Sequence, residues 1–371
     1  MDNKKIRAIG AAVLAVLWVG LTFFSWFGPA KELSTSERRP LKQMPAITME
    51  SILDGSFMKD FEGFTLDQFP LRDTFRSIKA LFHNYAMNQS DNNDLYISDG
   101  HIIKQEQPLD PASVEHALSR FQFVYEKHLK DKASNIYISL VPDKNFYQAE
   151  PSGHLSLDYA TMFNMVKNRI PWAMYIDITD TLSLEDYYRT DTHWRQENLI
   201  PTAQKILAEM GAQGLKSEDF TTETLDKPFY GVYYGQAALP VKPDTIQMLH
   251  SAAFDQYKVY DCNEGKPVGS DLYDMSQLDS MDLYDIFLTG AKKGTMVIEN
   301  PNGTPGKELI VFRDSYGSSI APLLVSDYAK VTFIDIRQYN PAFPNPFLNA
   351  EGKDVLFLYS TLVLNASQEL K

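Results

Sequence analysis

The sequence predicts an α/β protein, a mostly parallel sheet with helices on both faces, preceded by one N-terminal transmembrane helix. Three observations carry this expectation. Residues 8–27 (AIGAAVLAVLWVGLTFFSWF) form an uncharged apolar run. Short apolar or β-branched runs then recur at 135–141, 173–178, 308–312, 330–336 and 354–364. Amphipathic helical stretches at 112–130, 158–168, 194–210 and 317–326 lie between several of them. Apolar runs alternating with helices are the signature of parallel strands covered on both faces.

In chain order, Lys4, Lys5 and Arg7 precede the apolar run. Twenty helical residues span about 30 Å, the thickness of a bilayer core. The run is longer than a cleaved signal's apolar region, and the only small-residue site after it, Gly28-Pro29-Ala30, holds a proline. Residues 1–30 therefore read as a cytoplasmic N-terminus and signal anchor, with 31–371 outside the membrane by the positive-inside rule. Residues 31–56, charged and punctuated by proline, read as a linker, and 57–371 as the extracytoplasmic domain. That domain opens with helices around 58–67 and 72–87. Within it, residues 226–290 are rich in Tyr, Asp and Gly and poor in periodicity, and read as an insertion or lobe.

Composition narrows the function. The chain has 371 residues, 44 % hydrophobic, enough for a sizeable core. Its 35 basic against 48 acidic residues leave a net charge of −13, and no dense Lys/Arg cluster offsets it, so no nucleic-acid partner is expected. Cys262 is the only cysteine, which excludes an internal disulfide or thiolate metal cluster. The seven histidines form no HxH or HExxH spacing, so no metal site and no cofactor are expected.

Parallel sheets bind ligands beyond the carboxyl ends of their strands. A nucleophile is therefore sought just after an apolar run, and KELIVFRDSYGSSIAPLLV (307–325) provides one. Ser315 stands where a strand turns into a helix, near helix N-terminal amides able to stabilise an oxyanion. The same position suits a helix N-cap. Ser318 and Ser319 lie deeper in the helix. A base is offered by RTDTHWRQEN (189–198): in an extended Asp191-x-His193, the carboxylate can hold one imidazole nitrogen and leave the other for a serine. Here too a cap is the alternative, with Thr190 or Asp191 starting a helix near Trp194 and Glu197 completing a capping box.

Together, TDTHWRQENLIPTAQKIL and, about 120 residues later, VFRDSYGSSIAPLLVSDYAKVTFIDIR resemble the DHHW and alginate O-acetyltransferase family. RRPLKQMPA, DQFPLRD, SLVPDKNFYQ and DIFLTGAKKG agree with its layout. The resemblance implies an SGNH-hydrolase-like, flavodoxin-like domain in which Ser315 attacks an acyl carbonyl, with His193 as base and Asp191 orienting it. It implies O-acetyl transfer to a polysaccharide acceptor of the cell envelope, with the acyl group delivered by a multi-spanning membrane acyltransferase. An esterase that removes acetyl groups, or a non-catalytic accessory protein, are the alternatives. Arg313 and Tyr316 stand where the family commonly has a small residue and Phe, and are expected near the oxyanion or substrate. Arg337, after the strand KVTFIDI, and Lys144, in VPDKNFY, are further candidates for binding substrate, against a surface salt bridge for Arg337 and a solvated turn for Lys144.

Overall fold

The computed structural model describes residues 3–34, 36–82, 91, 93–214 and 216–371. The chain divides into two compact units, 1–93 with 234–240, and 94–233 with 241–371. The domain start drawn at 57 in the sequence falls inside the first of these.

In the first unit, Asn3–Phe27 is one helix, long and apolar enough to cross a membrane and almost wholly exposed. Helices Met49–Leu53, Ser56–Asp67 and Arg72–Leu81 follow. The helix expected over 72–87 is thus seen to Leu81, and residues 83–87 lie outside the described ones.

The second unit is built on an eight-stranded sheet. Strands Tyr328–Ile334, Thr304–Arg313, Asp354–Ser360, Asn135–Val141 and Met174–Ile176 lie side by side in that order, all parallel. All five expected runs therefore share one sheet. Thr295–Glu299 pairs antiparallel with Tyr328–Ile334, and Lys258–Asp261 and Val268–Ser270 extend that edge. The apolar runs are continuous because both faces are covered. Leu309, Val311, Leu356 and Leu358 pack with Ile206, Ile320 and Leu324 on one face. Ile310, Phe312, Val355 and Phe357 pack with Val114, Phe121, Met162 and Val166 on the other.

Local chemistry starts the helices. Asp110 accepts from the amides of Ala112 and Ser113 ahead of Pro111–Val124, with proline in the first turn. Asp158 does the same for Tyr159–Arg169 through Thr161. Three expectations need correction. Thr190, Asp191 and Trp194 do not begin a helix, since Trp194 bridges to Tyr187 and the α-helix starts at Ile200, where Pro201 suits the first turn. The apolar run 354–364 stops being a strand at Ser360, whose hydroxyl caps helix Thr361–Asn365 by accepting from the Val363 amide. And Lys144 lies not in a solvated turn but in the first turn of helix Lys144–Ser152, capped by Asp143.

Candidate active site

Strand Thr304–Arg313 runs through Asp314 and Ser315 directly into helix Tyr316–Val325. Asp314, fully buried, accepts from the Tyr316 amide at 3.0 Å through one oxygen and from the Ser360 amide at 2.7 Å through the other. Asp314 thus performs the capping that the sequence also allowed to Ser315, whose side chain makes no cap bond. Two residues on, a Cβ on Gly317 would stand 2.7 Å from Arg313 Cβ, so the elbow requires glycine there.

Ser315, partly exposed, places its Oγ 2.8 Å from His193 Nε2. His193 Nδ1 is 2.6 Å from Asp191 Oδ1, which also accepts from the His193 amide at 3.0 Å. The other Asp191 oxygen accepts from the Val232 amide at 2.7 Å. Asp191 is buried, and Gly231 allows this approach, because a Cβ there would lie 2.3 Å from Asp191 Cα. The structure therefore brings Asp191, His193 and Ser315 together, 122 positions apart between base and hydroxyl. An imidazole held by a carboxylate on one side and a hydroxyl on the other is placed to take the hydroxyl proton during attack on a carbonyl.

The loop bearing Asp191 and His193 has no regular secondary structure and is tied down from outside. Asp244, buried, accepts from the amides of Arg189 and Thr190, both at 2.8 Å, and from the Thr190 hydroxyl. Lys144, 2 % exposed, donates to the carbonyls of Ile102, Tyr188 (2.9 Å) and Arg189 (3.3 Å), with its ammonium 5.1 Å from the Tyr233 ring centre. Burial pushes the Lys144 ammonium down to about 7, against the pull of Asp191, Asp244 and Asp143. Trp194 Nε1 donates to the Tyr316 carbonyl at 3.0 Å.

The four expected substrate or oxyanion residues are placed otherwise. Lys144 lies under the loop, not in contact with solvent. Arg313 is 1 % exposed, and its guanidinium donates to the Gly290 carbonyl (2.8 Å), the Asp314 carbonyl (3.2 Å) and Ser318 Oγ (2.8 Å), as a buried cation must if it is not to lose its solvation uncompensated. The Tyr316 hydroxyl donates to the Thr192 carbonyl at 2.7 Å, bracing the histidine loop. Arg337 does follow its strand's carboxyl end, but it is paired through two nitrogens with buried Asp335.

Sequence reasoning missed Tyr284 and Asp244. Tyr284 stacks on the His193 ring, centroids 3.8 Å apart and planes 7° from parallel, and its hydroxyl reaches Ser319 Oγ at 2.9 Å. Both residues lie in the aperiodic stretch 226–290, where no local pattern marked them. Among the described residues no group of three or more His, Cys, Asp or Glu is arranged to hold a metal ion.

The fold is that of the SGNH-hydrolase-like class, a mostly parallel sheet with a serine at a strand-to-helix elbow. Residues 161–334 match the family model described as DHHW protein, the family the two motifs resemble. The fold is similar to that of a DHHW family protein from Eubacterium siraeum, with a TM-score of 0.59 and 21 % identity, covering 76 % of this chain and 95 % of that one. It is also similar to Bacillus cereus PatB1 with a sulfonyl adduct, with a TM-score of 0.58 and 17 % identity, covering 74 % of this chain and 97 % of that one. The O-acetyltransferase domain of Pseudomonas putida AlgJ aligns with a TM-score of 0.43 and 14 % identity, covering 73 % of this chain and 92 % of that one. No curated protein matches the chain.

Proposed function

We propose that the protein is a membrane-anchored, extracytoplasmic O-acetyltransferase that modifies hydroxyls of a cell-envelope or exported polysaccharide. The observation that carries this reading is the hydrogen-bonded series from Ser315 Oγ through His193 to Asp191, at 2.8 and 2.6 Å. The match to the DHHW model and the motifs of the acetyltransferase family support it.

In this mechanism Ser315 Oγ attacks the acetyl carbonyl while His193 Nε2 takes its proton. The Ser315 amide is the candidate oxyanion donor, because the amides of Tyr316, Gly317 and Ser318 already bond to Asp314 and Ser315. Collapse of the tetrahedral species expels the donor oxygen, which receives the proton from His193, and leaves an acetyl ester on Ser315. A sugar hydroxyl then gives its proton to His193, attacks the ester and leaves acetylated, restoring the serine. Asp191 holds the imidazole in the tautomer that both halves need. The acetyl group is supplied by a multi-spanning membrane acyltransferase, and helix Asn3–Phe27 keeps the enzyme on the membrane with 31–371 outside.

The test uses the full chain in detergent, an aryl acetate donor and polysaccharide fragments as acceptors. A sulfonyl fluoride, chosen because PatB1 is described with a sulfonyl adduct, should label Ser315, and the label should vanish in His193→Ala. Acetylated oligosaccharide should form faster than free acetate. Acetate release that ignores the acceptor would assign an esterase instead, and undiminished turnover in Ser315→Ala would end the enzymatic reading.

A further inference from the structure

Helix Arg72–Leu81, in the first compact unit, is amphipathic with its faces reversed relative to a helix of a water-soluble core. Phe75 and Ile78 fall on one side by their i, i+3 spacing and are 46 % and 57 % exposed, and Leu71, just before the helix, is 69 % exposed. The two arginines on the other side face the protein, while Asp73 stays exposed. Arg72 and Arg76, whose side chains are only 20 % and 22 % exposed, both pair with Glu37, and Arg76 Nη2 donates to the Gly235 carbonyl at 2.7 Å. A helix that docks its cations and presents its apolar stripe outward loses hydrophobic free energy in water. It gains that energy only against a second apolar phase.

That phase is close at hand along the chain. Four residues past Phe27, the Lys31 backbone is clamped by the Gln68 side chain, which accepts from the Lys31 amide at 2.8 Å and donates to its carbonyl at 2.9 Å. Ser25 Oγ donates to the Thr65 carbonyl at 2.8 Å, and the Trp26 ring lies 5.5 Å from that of Phe61. Phe24, Gly28 and Pro29 line one concavity together with Leu71, Arg72 and Thr74. Helix Ser56–Asp67 and Gln68, which lead into the reversed helix, are therefore bolted to the end of the helix that we read as crossing the membrane, at the depth where tryptophan prefers to sit.

We propose that Arg72–Leu81 lies in the outer interfacial layer of that bilayer, with Leu71, Phe75 and Ile78 among the lipid chains. This rests on the reading of Asn3–Phe27 as a membrane span. The occupant is lipid and not a partner protein, because the spanning helix brings lipid to this face in every molecule. Interfacial helices bury an apolar face of this kind several ångströms below the headgroups. The contact makes a second attachment and restricts rotation of the first unit about its anchor.

The test is depth-dependent quenching in the full chain. Cys262, the only cysteine, is replaced by serine, and single cysteines at Phe75, Ile78, Asp73 and Val16 carry an environment-sensitive fluorophore in vesicles of phosphatidylcholine and phosphatidylglycerol. Labels at Phe75→Cys and Ile78→Cys should shift to the blue, and doxyl-labelled lipid should quench them at least two-fold more than it quenches Asp73→Cys on the charged side. Label at Val16→Cys reports the span itself: if lipid does not quench it, the anchor reading fails. If Val16→Cys is quenched while Phe75→Cys and Ile78→Cys respond only to aqueous iodide, the interfacial contact is wrong. Labels shielded from both quenchers would place a protein on the stripe and equally overturn the proposal.

Discussion

The two halves of the candidate site are held in opposite ways. The serine half is mainly local: strand, Asp314, Ser315 and Gly317 follow one another, and the turn is capped by its own neighbour at 3.0 Å, with the distant Ser360 amide adding a bond to Asp314 at 2.7 Å. The acid–base half is remote: Asp191 and His193 sit on a loop whose position depends on Asp244, Lys144, Val232 and Tyr284, none of them adjacent in sequence. Ser315 should therefore tolerate distant substitutions better than His193, which is exposed to errors made far along the chain.

Removing either half outright gives the largest expected effect. Ser315→Ala and His193→Ala should each lower acetyl transfer by more than about 10³-fold, and the double variant should fall little further, since the two act as one unit. Steady-state rates on an aryl acetate check this, with melting temperature as a control for folding. Additive losses would separate the two residues.

Next comes Asp244→Ala, which leaves every proposed reacting group intact but frees the Arg189 and Thr190 amides. A displacement of about 1 Å at His193 costs on the order of 10²-fold. The expected result is a fall in kcat with little change in KM, while the fold and the elbow remain. An unchanged kcat would mean that the loop holds itself.

Lys144→Met should cost less and should change with pH. The folded state holds this ammonium near 7, below the ordinary 10.5, so between those values the unfolded chain binds a proton that the folded chain does not. Stability conferred by the lysine therefore rises with pH across that window, and its burial penalty is felt in full below about 7. Melting curves of wild type and Lys144→Met should diverge in favour of wild type as pH rises from 7 toward 10.5. A constant difference would show that Lys144 stays charged under the loop.

The smallest effect is expected of Tyr284→Phe, which keeps the ring on His193 and removes the hydroxyl's bonds to Ser319 Oγ (2.9 Å) and to the Ser315 carbonyl (3.2 Å). Activity should stay within about three-fold of wild type, equivalent to well under 1 kcal/mol, whereas Tyr284→Ala should fall further. Equal losses would locate the contribution in the hydroxyl.

This asymmetry also governs what the sequence discloses. The central strands were legible because burial on both faces leaves unbroken apolar runs, as in 308–312 and 354–360. Asp191, His193 and Ser315 were legible because each stands beside a recognisable short pattern. Arg313, Tyr316 and Lys144 were singled out for position, but whether a side chain turns outward or under a loop depends on partners that no local window contains. Trp194 looked like a helix start because its apolar neighbours have helical spacing, yet it is the loop's tie to the Tyr316 carbonyl. Strands Lys258–Asp261 and Val268–Ser270, at one end of the sheet, are short and have Val259 as their single buried residue, so they carry no periodic signal.

The pairing of Asn135–Val141 with Asp354–Ser360 joins residues 219 positions apart, and that partner strand is the last of the sheet to be synthesised. At ~5–20 residues per second, Asn135–Val141 waits about 10–40 s for its neighbour. During that time its apolar face and one hydrogen-bonding edge are open. The sheet therefore has a gap at its centre until Asp354–Ser360 arrives, and Thr304–Arg313, the strand leading to Ser315, borders the same gap. The elbow is built from adjacent residues, and the Ser360 amide adds its bond to Asp314 only then. Until that strand arrives, the open apolar face and edge are the part of the sheet most vulnerable to proteases and aggregation.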